Sequence, residues 1–249
     1  MTMPAEAKTH IRHDCPRIAA RDLADYMAAS EVSKRTIVRN SKFEPLLHAA
    51  HHDEARAVVS KFIADRDTDL SWLAEEAQRI RDHAASEPEG FERDLAGRNA
   101  AYIERFAKVW PNVRLPPKAE VLPVGEPAPP PLHLHGVDVT VELHFRLRRA
   151  ARDNTLRAGA GMLRYSKNRP LPRAAGEWQA ALLLGYLRAL GTEPGEAPDG
   201  KLCLVLDAQS GALHAAPGDA VRRFGQIAAA CASIAERWPN IAPPAGAVV

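Results

Sequence analysis

The sequence changes character at a proline-rich segment, PNVRLPPKAEVLPVGEPAPPP at 111–131, which holds many of the chain's 20 prolines. Proline fixes φ and lacks a backbone N–H, so this segment cannot form the interior of a helix. Before it, apolar residues recur at three- and four-residue spacing, and after it apolar and polar residues alternate. The sequence therefore predicts an α+β protein that is helical first and sheet-containing later, with a short edge strand near residues 120–124.

Five helices are predicted before the prolines. They begin near residues 20, 33, 53, 72 and 91, and the first carries Leu23, Tyr26 and Met27 on one face. The segment 1–17 has no pattern and is predicted to be a loose leader. We expect a helical region at 18–90 and an α/β domain at 91–249.

The clearest strand signal begins at Leu132 in LHLHGVDVTVELHFRL. Its alternation predicts one long strand with valines on one face and Asp138 and Glu142 on the other. A second strand, GAGMLRYSK at 159–167, follows, and its glycines are expected to allow tight packing. A helix near 176–191, a strand near 201–211 that turns at its end into a further strand, ALHAAP at 212–217, and a last helix at 219–238 complete the prediction.

Composition limits the classes of function. The 249 residues contain 33 Lys+Arg and 31 Asp+Glu, a formal net charge of +2, so an electrostatic partner has to be sought from local patches. The three cysteines are widely spaced, which indicates a reducing compartment. No apolar run is long enough to cross a membrane. We therefore expect a cytoplasmic protein without a membrane partner.

From residue 91 the predicted order is helix, short strand, long strand, strand, helix, strand, strand, helix. This order resembles the core of the PD-(D/E)XK (restriction-endonuclease-like, RecB-like) nuclease superfamily over about residues 91–240. In that core a helix precedes a three-stranded piece that bears the active site, and a helix and a further strand or hairpin follow. The resemblance implies an α/β/α domain with a mixed central sheet.

The resemblance also implies a site. An acid on the second core strand and a D/E-x-K motif on the third would hold Mg²⁺ and activate water. Asp138 and Glu142 match the acids as metal ligands and catalytic residues, and Lys167 matches the lysine. Where the motif has its second acid, this sequence has Tyr165; Glu104, Glu177 or Asp207 could replace it. Gln179 and Tyr186 resemble the glutamine and tyrosine of RecB-like members, at seven-residue spacing.

Two basic clusters suggest contact with phosphates, because arginine forks match phosphate oxygens. The stretch 146–173 holds nine basic residues against the single acid Asp153. The predicted nucleic-acid-binding residues are Arg146, Arg148, Arg149, Arg152, Arg157, Arg164 and Arg169, with Arg35, Arg39 and Lys42 on one face of the second helix.

These features predict a nucleic-acid-binding protein, with DNA favoured over RNA, as a subunit of a bacterial nucleic-acid-processing or defence assembly. Its nuclease-like domain is either an active Mg²⁺-dependent nuclease or a degenerate domain that only binds. Two other classes stay open: a protein-interaction scaffold without nucleic acid, and a small-molecule hydrolase. The histidines of HAAHHDE at 48–54 fit a polar helix start better than a metal site.

Overall fold

A computed structural model describes residues 8–46, 52–65, 67–86, 89–126, 128–165 and 169–248. In these ranges the chain forms seven α-helices and eleven strands. The helices are α1 (Ala20–Ala28), α2 (Glu31–Lys42), α3 (Asp53–Ala64), α4 (Ser71–Ala85), α5 (Phe91–Val109), α6 (Arg173–Leu190) and α7 (Ala220–Arg237). The strands are β1 (His10–Arg12), β2 (Arg17–Ala19), β3 (Phe43–Pro45), β4 (Glu120–Leu122), β5 (Leu132–Leu134), β6 (Val137–Thr140), β7 (Phe145–Ala150), β8 (Leu156–Arg164), β9 (Glu196–Pro198), β10 (Leu204–Asp207) and β11 (Leu213–Ala215).

The largest sheet is mixed. Its strands lie in the order β11-β10-β8-β7-β4, and β9 pairs with the first residues of β8. β7 and β8 are antiparallel, whereas β8 and β10 are parallel. Two smaller sheets are formed by β2-β6-β5 and by β1-β3. The prediction of an α+β protein with a mixed central sheet is confirmed.

Helices cover both faces of the central sheet. On one face Met162 and Val205 pack with apolar residues of α1, α6 and α7. On the other face Phe145 and Leu206 pack with α3, α4 and α5. The neighbours Val205 and Leu206 enter different cores because successive side chains of a strand point to opposite faces. The central sheet is therefore the middle of three layers.

Two glycines of β8 allow other groups to lie directly on the sheet. A Cβ added at Gly161 would be 2.0 Å from Cζ of Phe145, and one added at Gly159 would be 2.1 Å from the carbonyl oxygen of Leu202. Both distances are shorter than any van der Waals contact. The prediction that these glycines permit tight packing is confirmed.

The prediction of one long strand from Leu132 is wrong. The chain reverses at His135 and Gly136, whose φ angles are 44° and 82°, so that β5 and β6 form a hairpin. β6 ends at Thr140, and β7 begins at Phe145 in a different sheet. The second break is hidden because the alternation continues in phase from Val137 to Phe145, although Val139 and Phe145 enter different cores. At the first break the phase does shift, because the apolar positions change from Leu132 and Leu134 to Val137 and Val139.

The N-terminal region is less separate than predicted. Residues 10–12, expected in a loose leader, pair with β3, and Arg17–Ala19 pairs in parallel with β6. Strands of three residues are too short to show a period of two. Because Ile18 and Leu23 share a core with α6 and α7, the region 18–90 does not form a core of its own.

The predicted helices are all present, with starts within about three residues of the expected ones. The sequence Trp-Pro-Asn forms a short 3-10 turn at the end of α5 and again at the end of α7, because proline cannot continue the hydrogen bonding of a helix. The edge strand near 120–124 is β4. Across the described ranges, no helix combines the length and apolar character that crossing a membrane requires.

Candidate functional site: a polar cleft

Two parallel strands bring the start of α1 next to the segment that follows β6. β2 and β6 pair with Ala19 opposite Thr140. Parallel strands end at the same edge of a sheet, so the first turn of α1 and the segment 141–144 begin side by side. Asp22 of α1 and Glu142 of that segment consequently line the same cleft.

This polar cleft has two parts. The inner part encloses about 200 Å³ and ends at Arg164, Tyr165 and Gln179. The outer part, of about 380 Å³, opens toward α2 and α3. The polar residues common to both parts are Arg21, Asp22, His52, Arg56, Thr140 and Glu142.

The polar cleft is densely charged and close to neutral. Its described acids are Asp22, Glu44, Asp53 and Glu142, and its described guanidinium groups belong to Arg17, Arg21, Arg56 and Arg164. Charges of both signs in one concave surface favour a ligand that itself combines a cation with an anion.

The pKa of the Asp22 carboxyl group is changed by this surrounding. Burial raises its pKa above the ordinary value, and the guanidinium of Arg21, 3.5 Å away, acts against that rise. The negative charges of Asp25 and Glu142 raise the pKa further. Like charges held together in this way are a place where a bound cation would relieve repulsion.

Arg164 forms the inner wall and joins three elements. Its Nη2 donates to both carboxylate oxygens of Asp25, at 2.9 and 2.7 Å. Its Nη1 donates to Oε1 of Gln179 at 3.1 Å and to the Arg21 carbonyl at 3.0 Å. The side chain is only 12% exposed. These contacts fix α1 against the end of β8 and against α6.

The first turn of α3 closes the polar cleft from the other side. Arg56 forms an ion pair with Glu142 and another with Asp53 at 3.3 Å. The His52 ring lies with its centroid 4.4 Å from that of Tyr102 and 5.6 Å from that of Tyr165. Burial raises the pKa of Tyr165, so its hydroxyl stays protonated.

Asp22 and Glu142 are the carboxylates that could hold a metal ion in the inner part. No group of three or more His, Cys, Asp or Glu side chains within the described ranges is arranged to hold one. Mg²⁺ is commonly bound through one or two carboxylates, with waters and substrate phosphates as its other ligands. The donor set of the polar cleft therefore fits Mg²⁺ together with a phosphate-bearing ligand.

The predicted pairing of Asp138 with Glu142 is not supported. The two residues were expected on one strand face, but Asp138 lies in β6 and Glu142 lies beyond its end. Asp138 Oδ1 contacts Nδ1 of His133 at 2.5 Å across the hairpin. Glu142 lines the polar cleft, whereas Asp138 is absent from its described lining. Gln179, also predicted, lines the inner part and is fully buried.

The predicted basic stretch is largely neutralised by acids that the fold brings to it. Distant acids pair with four of its arginines: Arg146 with Glu193 and Glu196, Arg148 with Glu120, Arg149 with Asp199 and Arg164 with Asp25. Arg157 pairs with Asp153 inside the stretch. In the described part of the chain, Arg152 and Arg169 are exposed and form no ion pair. A charge count along the sequence could not include these distant acids.

Lys42 does not lie on a phosphate-binding face. It is 5% exposed, and its Nζ donates to the carbonyls of Trp238, Pro239 and Ile241 at 2.7, 3.2 and 3.1 Å. Burial lowers its pKa. Its predicted nucleic-acid contact is therefore wrong: the ammonium group binds the carbonyls at the end of α7.

The remaining predicted residues fall in three places. Lys167 lies outside the described residues, as do His48 and His51. Arg35 and Arg39 line a second cavity, beside α7. The alternative acids lie elsewhere: Glu104 pairs with Arg81, Glu177 with Arg223, and Asp207 accepts backbone hydrogen bonds from Leu171 and Gln209.

Sequence reasoning missed Asp22, Arg21 and Arg56. The pattern RDLADYM indicated a helix but nothing about its neighbour, because the parallel pairing of β2 with β6 joins segments about 120 residues apart. A parallel strand of three residues leaves no signal by which that neighbour could be recognised.

The chain was compared with known proteins. No protein-family model matches it, and no curated protein matches it as a relative.

Proposed function

We propose that the polar cleft binds the phosphate backbone of nucleic acid and that the protein is a divergent, Mg²⁺-dependent nuclease of the PD-(D/E)XK type. One observation carries the proposal: Asp22 and Glu142 line the same cleft as Arg21 and Arg56. The acids are suited to a hard cation, and the guanidinium groups are suited to phosphate oxygens.

The residues have separable roles in this proposal. Mg²⁺ held by Asp22 and Glu142 would polarise a phosphoryl oxygen as a Lewis acid. Arg21 pairs with Asp22 at 3.5 Å, and its side chain is 48% exposed, so that it can also contact a backbone phosphate at the mouth of the cleft. Arg164 and Gln179 keep the inner wall rigid through their mutual hydrogen bond of 3.1 Å. Such rigidity holds charged groups in place for a transition state.

The order of the elements supports the same family. Helix α5 precedes the antiparallel strands β4, β7 and β8, and α6 and the hairpin β10-β11 follow. This is the succession expected of a PD-(D/E)XK core, with the β5-β6 hairpin added. The motif has its second acid on a strand, at the position of Tyr165. In this proposal Asp22, which lies in helix α1, takes the place of that acid.

We further propose that DNA is the preferred nucleic acid and that the protein acts in the cytoplasm as part of a nucleic-acid-processing or defence assembly. Cys15, Cys203 and Cys231 are free thiols, which fits a reducing compartment.

Labelled single- and double-stranded DNA and RNA test the proposal at two salt concentrations, with EDTA, Mg²⁺ or Mn²⁺. We expect binding that weakens with salt, because bound phosphates release counterions, and cleavage that requires the metal. Asp22→Asn and Glu142→Gln should each lower the cleavage rate by about a hundredfold or more, since even outer partners of metal sites are worth about 10–100-fold.

Asp138→Asn is the matched control, because it removes a carboxylate of the same neighbourhood that does not line the cleft. It should cleave at the wild-type rate. Binding without cleavage in any metal would leave a degenerate, binding-only domain. Absence of binding at low salt would refute both forms of the proposal and leave a protein-interaction scaffold.

A further inference from the structure

A second cavity lies between α2 and the end of α7. It has a volume of about 320 Å³. Val38, Ile234 and Tyr26 form an apolar floor and are 7%, 1% and 8% exposed. Ile241 and Ala242, which follow α7, complete the apolar lining. The cavity shares no lining residue with the polar cleft.

The rim of this cavity is positively charged. Lys34, Arg35, Arg39 and Arg237 line it, and its lining contains no acid. Lys34 is engaged with Glu31 at 2.8 Å. Among the described residues, the three arginines form no ion pair. An apolar floor below guanidinium groups without an ion pair matches a ligand with an apolar body and an anionic head.

A buried nitrogen of Arg39 also indicates an anionic ligand. Its Nε is buried, and no described atom accepts a hydrogen bond from it. A buried donor without an acceptor is unfavourable, and such groups are rare in native proteins. An acidic head group at the rim would supply an acceptor for Arg39 if the guanidinium group turned toward the cavity.

The end of α7 would ordinarily oppose an anion, because the carbonyls at a helix C-terminus carry partial negative charge. Here the ammonium of Lys42 binds the carbonyls of Trp238, Pro239 and Ile241. It offsets that charge and holds the segment carrying Ile241 against α2. The cavity is thus both fixed in shape and electrostatically open to an anion.

We propose that this cavity binds a small amphipathic carboxylate, such as a medium-chain fatty acid, with its chain on the apolar floor and its head at Arg35, Arg39 and Arg237. A volume of about 320 Å³ corresponds to about ten water-sized groups, which is room for a chain of about ten carbons with its head group at the rim. The charge of the rim favours the acid over a neutral molecule of the same body.

The test uses the full chain and the fluorescent probe naphthalene-1-sulfonate, whose body has ten carbons, displaced by decanoate or by decanol below their aggregation concentrations. We expect decanoate to displace the probe and decanol to be at least about tenfold weaker, the loss for one charge-assisted contact of about 1.4 kcal/mol. Arg39→Met, which keeps the aliphatic stem, should weaken decanoate binding by a similar factor.

Arg222→Met is the matched control, since it removes an exposed arginine of α7 that does not line the cavity. It should bind decanoate as the wild type does. Arg35 is exposed, so Arg35→Met serves as a second test that cannot fail through misfolding of a buried site. Equal displacement by decanoate and decanol, or unchanged decanoate binding in both rim variants, would overturn the proposal. Displacement by an oligonucleotide but not by decanoate would also overturn it and would assign Arg35 and Arg39 to nucleic acid.

Discussion

At the scale of single residues, several charged and polar side chains have internal partners. Arg164 and Lys42 were predicted to face nucleic acid, yet one binds Asp25 inside the fold and the other binds carbonyls. His144 also has a partner inside the fold. Its Nδ1 accepts a hydrogen bond from the backbone N–H of Leu163 at 3.2 Å, and its side chain is buried.

The burial of His144 makes the stability of the protein depend on pH. Burial, with the nearby charge of Arg56, lowers the pKa of His144 to about 3. The unfolded chain, with an ordinary imidazole, therefore takes up more protons than the folded protein between pH 6.5 and 3. The stability due to neutral His144 is present above pH 6.5 and is lost as the pH falls.

When the pH falls from 6 to 5, we expect the protonation of His144 in the unfolded chain to lower the free energy of unfolding by about 1 kcal/mol. Urea unfolding of the wild type and of His144→Asn at both pH values measures it. Asn keeps a hydrogen-bond acceptor but does not titrate, so the variant should lose that part of the pH dependence. Identical pH dependence of the two proteins would contradict a neutral, buried histidine.

At the scale of elements, the close contacts of β8 determine how the central sheet packs. Gly161 lies directly under the ring of Phe145, and Gly159 lies under the backbone of Leu202. These two glycines allow the cross-strand ring and the turn before β10 to approach the sheet. They are among the few element-level details that could be anticipated, because glycine inside a strand pattern already indicates a close approach.

Gly161→Ala should destabilise the protein by about 1–3 kcal/mol, the usual cost of overpacking, because its methyl group would overlap the Phe145 ring. The free energy of unfolding in urea measures this. Adding Phe145→Leu should recover part of the loss. Gly97→Ala in α5 is the matched control: a Cβ there meets nothing within 4 Å, and we expect stabilisation of up to about 1 kcal/mol. Equal effects at both glycines would contradict the packing described.

The helices and strands differ in how well they could be predicted from the sequence. Helices such as α3 and α7 were predicted nearly to their ends, because their apolar faces repeat over twelve residues or more. The hairpin at His135 was missed although the apolar positions shift phase there, from Leu134 to Val137, beside the isolated Gly136, which is a signal for an interrupted strand. The position of Asp22 beside Glu142 was missed because β2 has three residues and pairs with a strand far along the chain. The spacing of apolar residues indicates which side chains are buried, but it does not indicate which segments pair with each other.

At the scale of the whole molecule, the two halves of the sequence build one three-layered structure. Leu23 and Tyr26 of α1 share a core with α6 and α7, while Val59 of α3 and Leu73 of α4 lie in the core on the opposite face of the sheet. The N-terminal region therefore contributes to both cores, and the predicted boundary near residue 90 passes through them.

A fragment of residues 91–249 should consequently fail to fold alone. Without residues 1–90, both faces of the central sheet lose apolar cover. We expect weak near-ultraviolet circular dichroism and no cooperative urea transition, and we expect both to be restored when a fragment of residues 1–90 is co-expressed. A cooperative transition of the isolated fragment would show instead that the α/β part is an autonomous domain.

The two extremities of the described chain meet. The backbone N–H groups of Thr9 and His10 donate to the Val248 carbonyl at 2.9 and 3.1 Å, and the Val248 N–H donates to the Thr9 hydroxyl at 3.0 Å. A short linker could therefore join residue 248 to residue 9 and close the backbone into a ring. Opening that ring between Glu89 and Gly90, both exposed, would give a circular permutant that keeps every strand pairing described above. The native order of the segments is thus one of several linear orders that this architecture can accommodate.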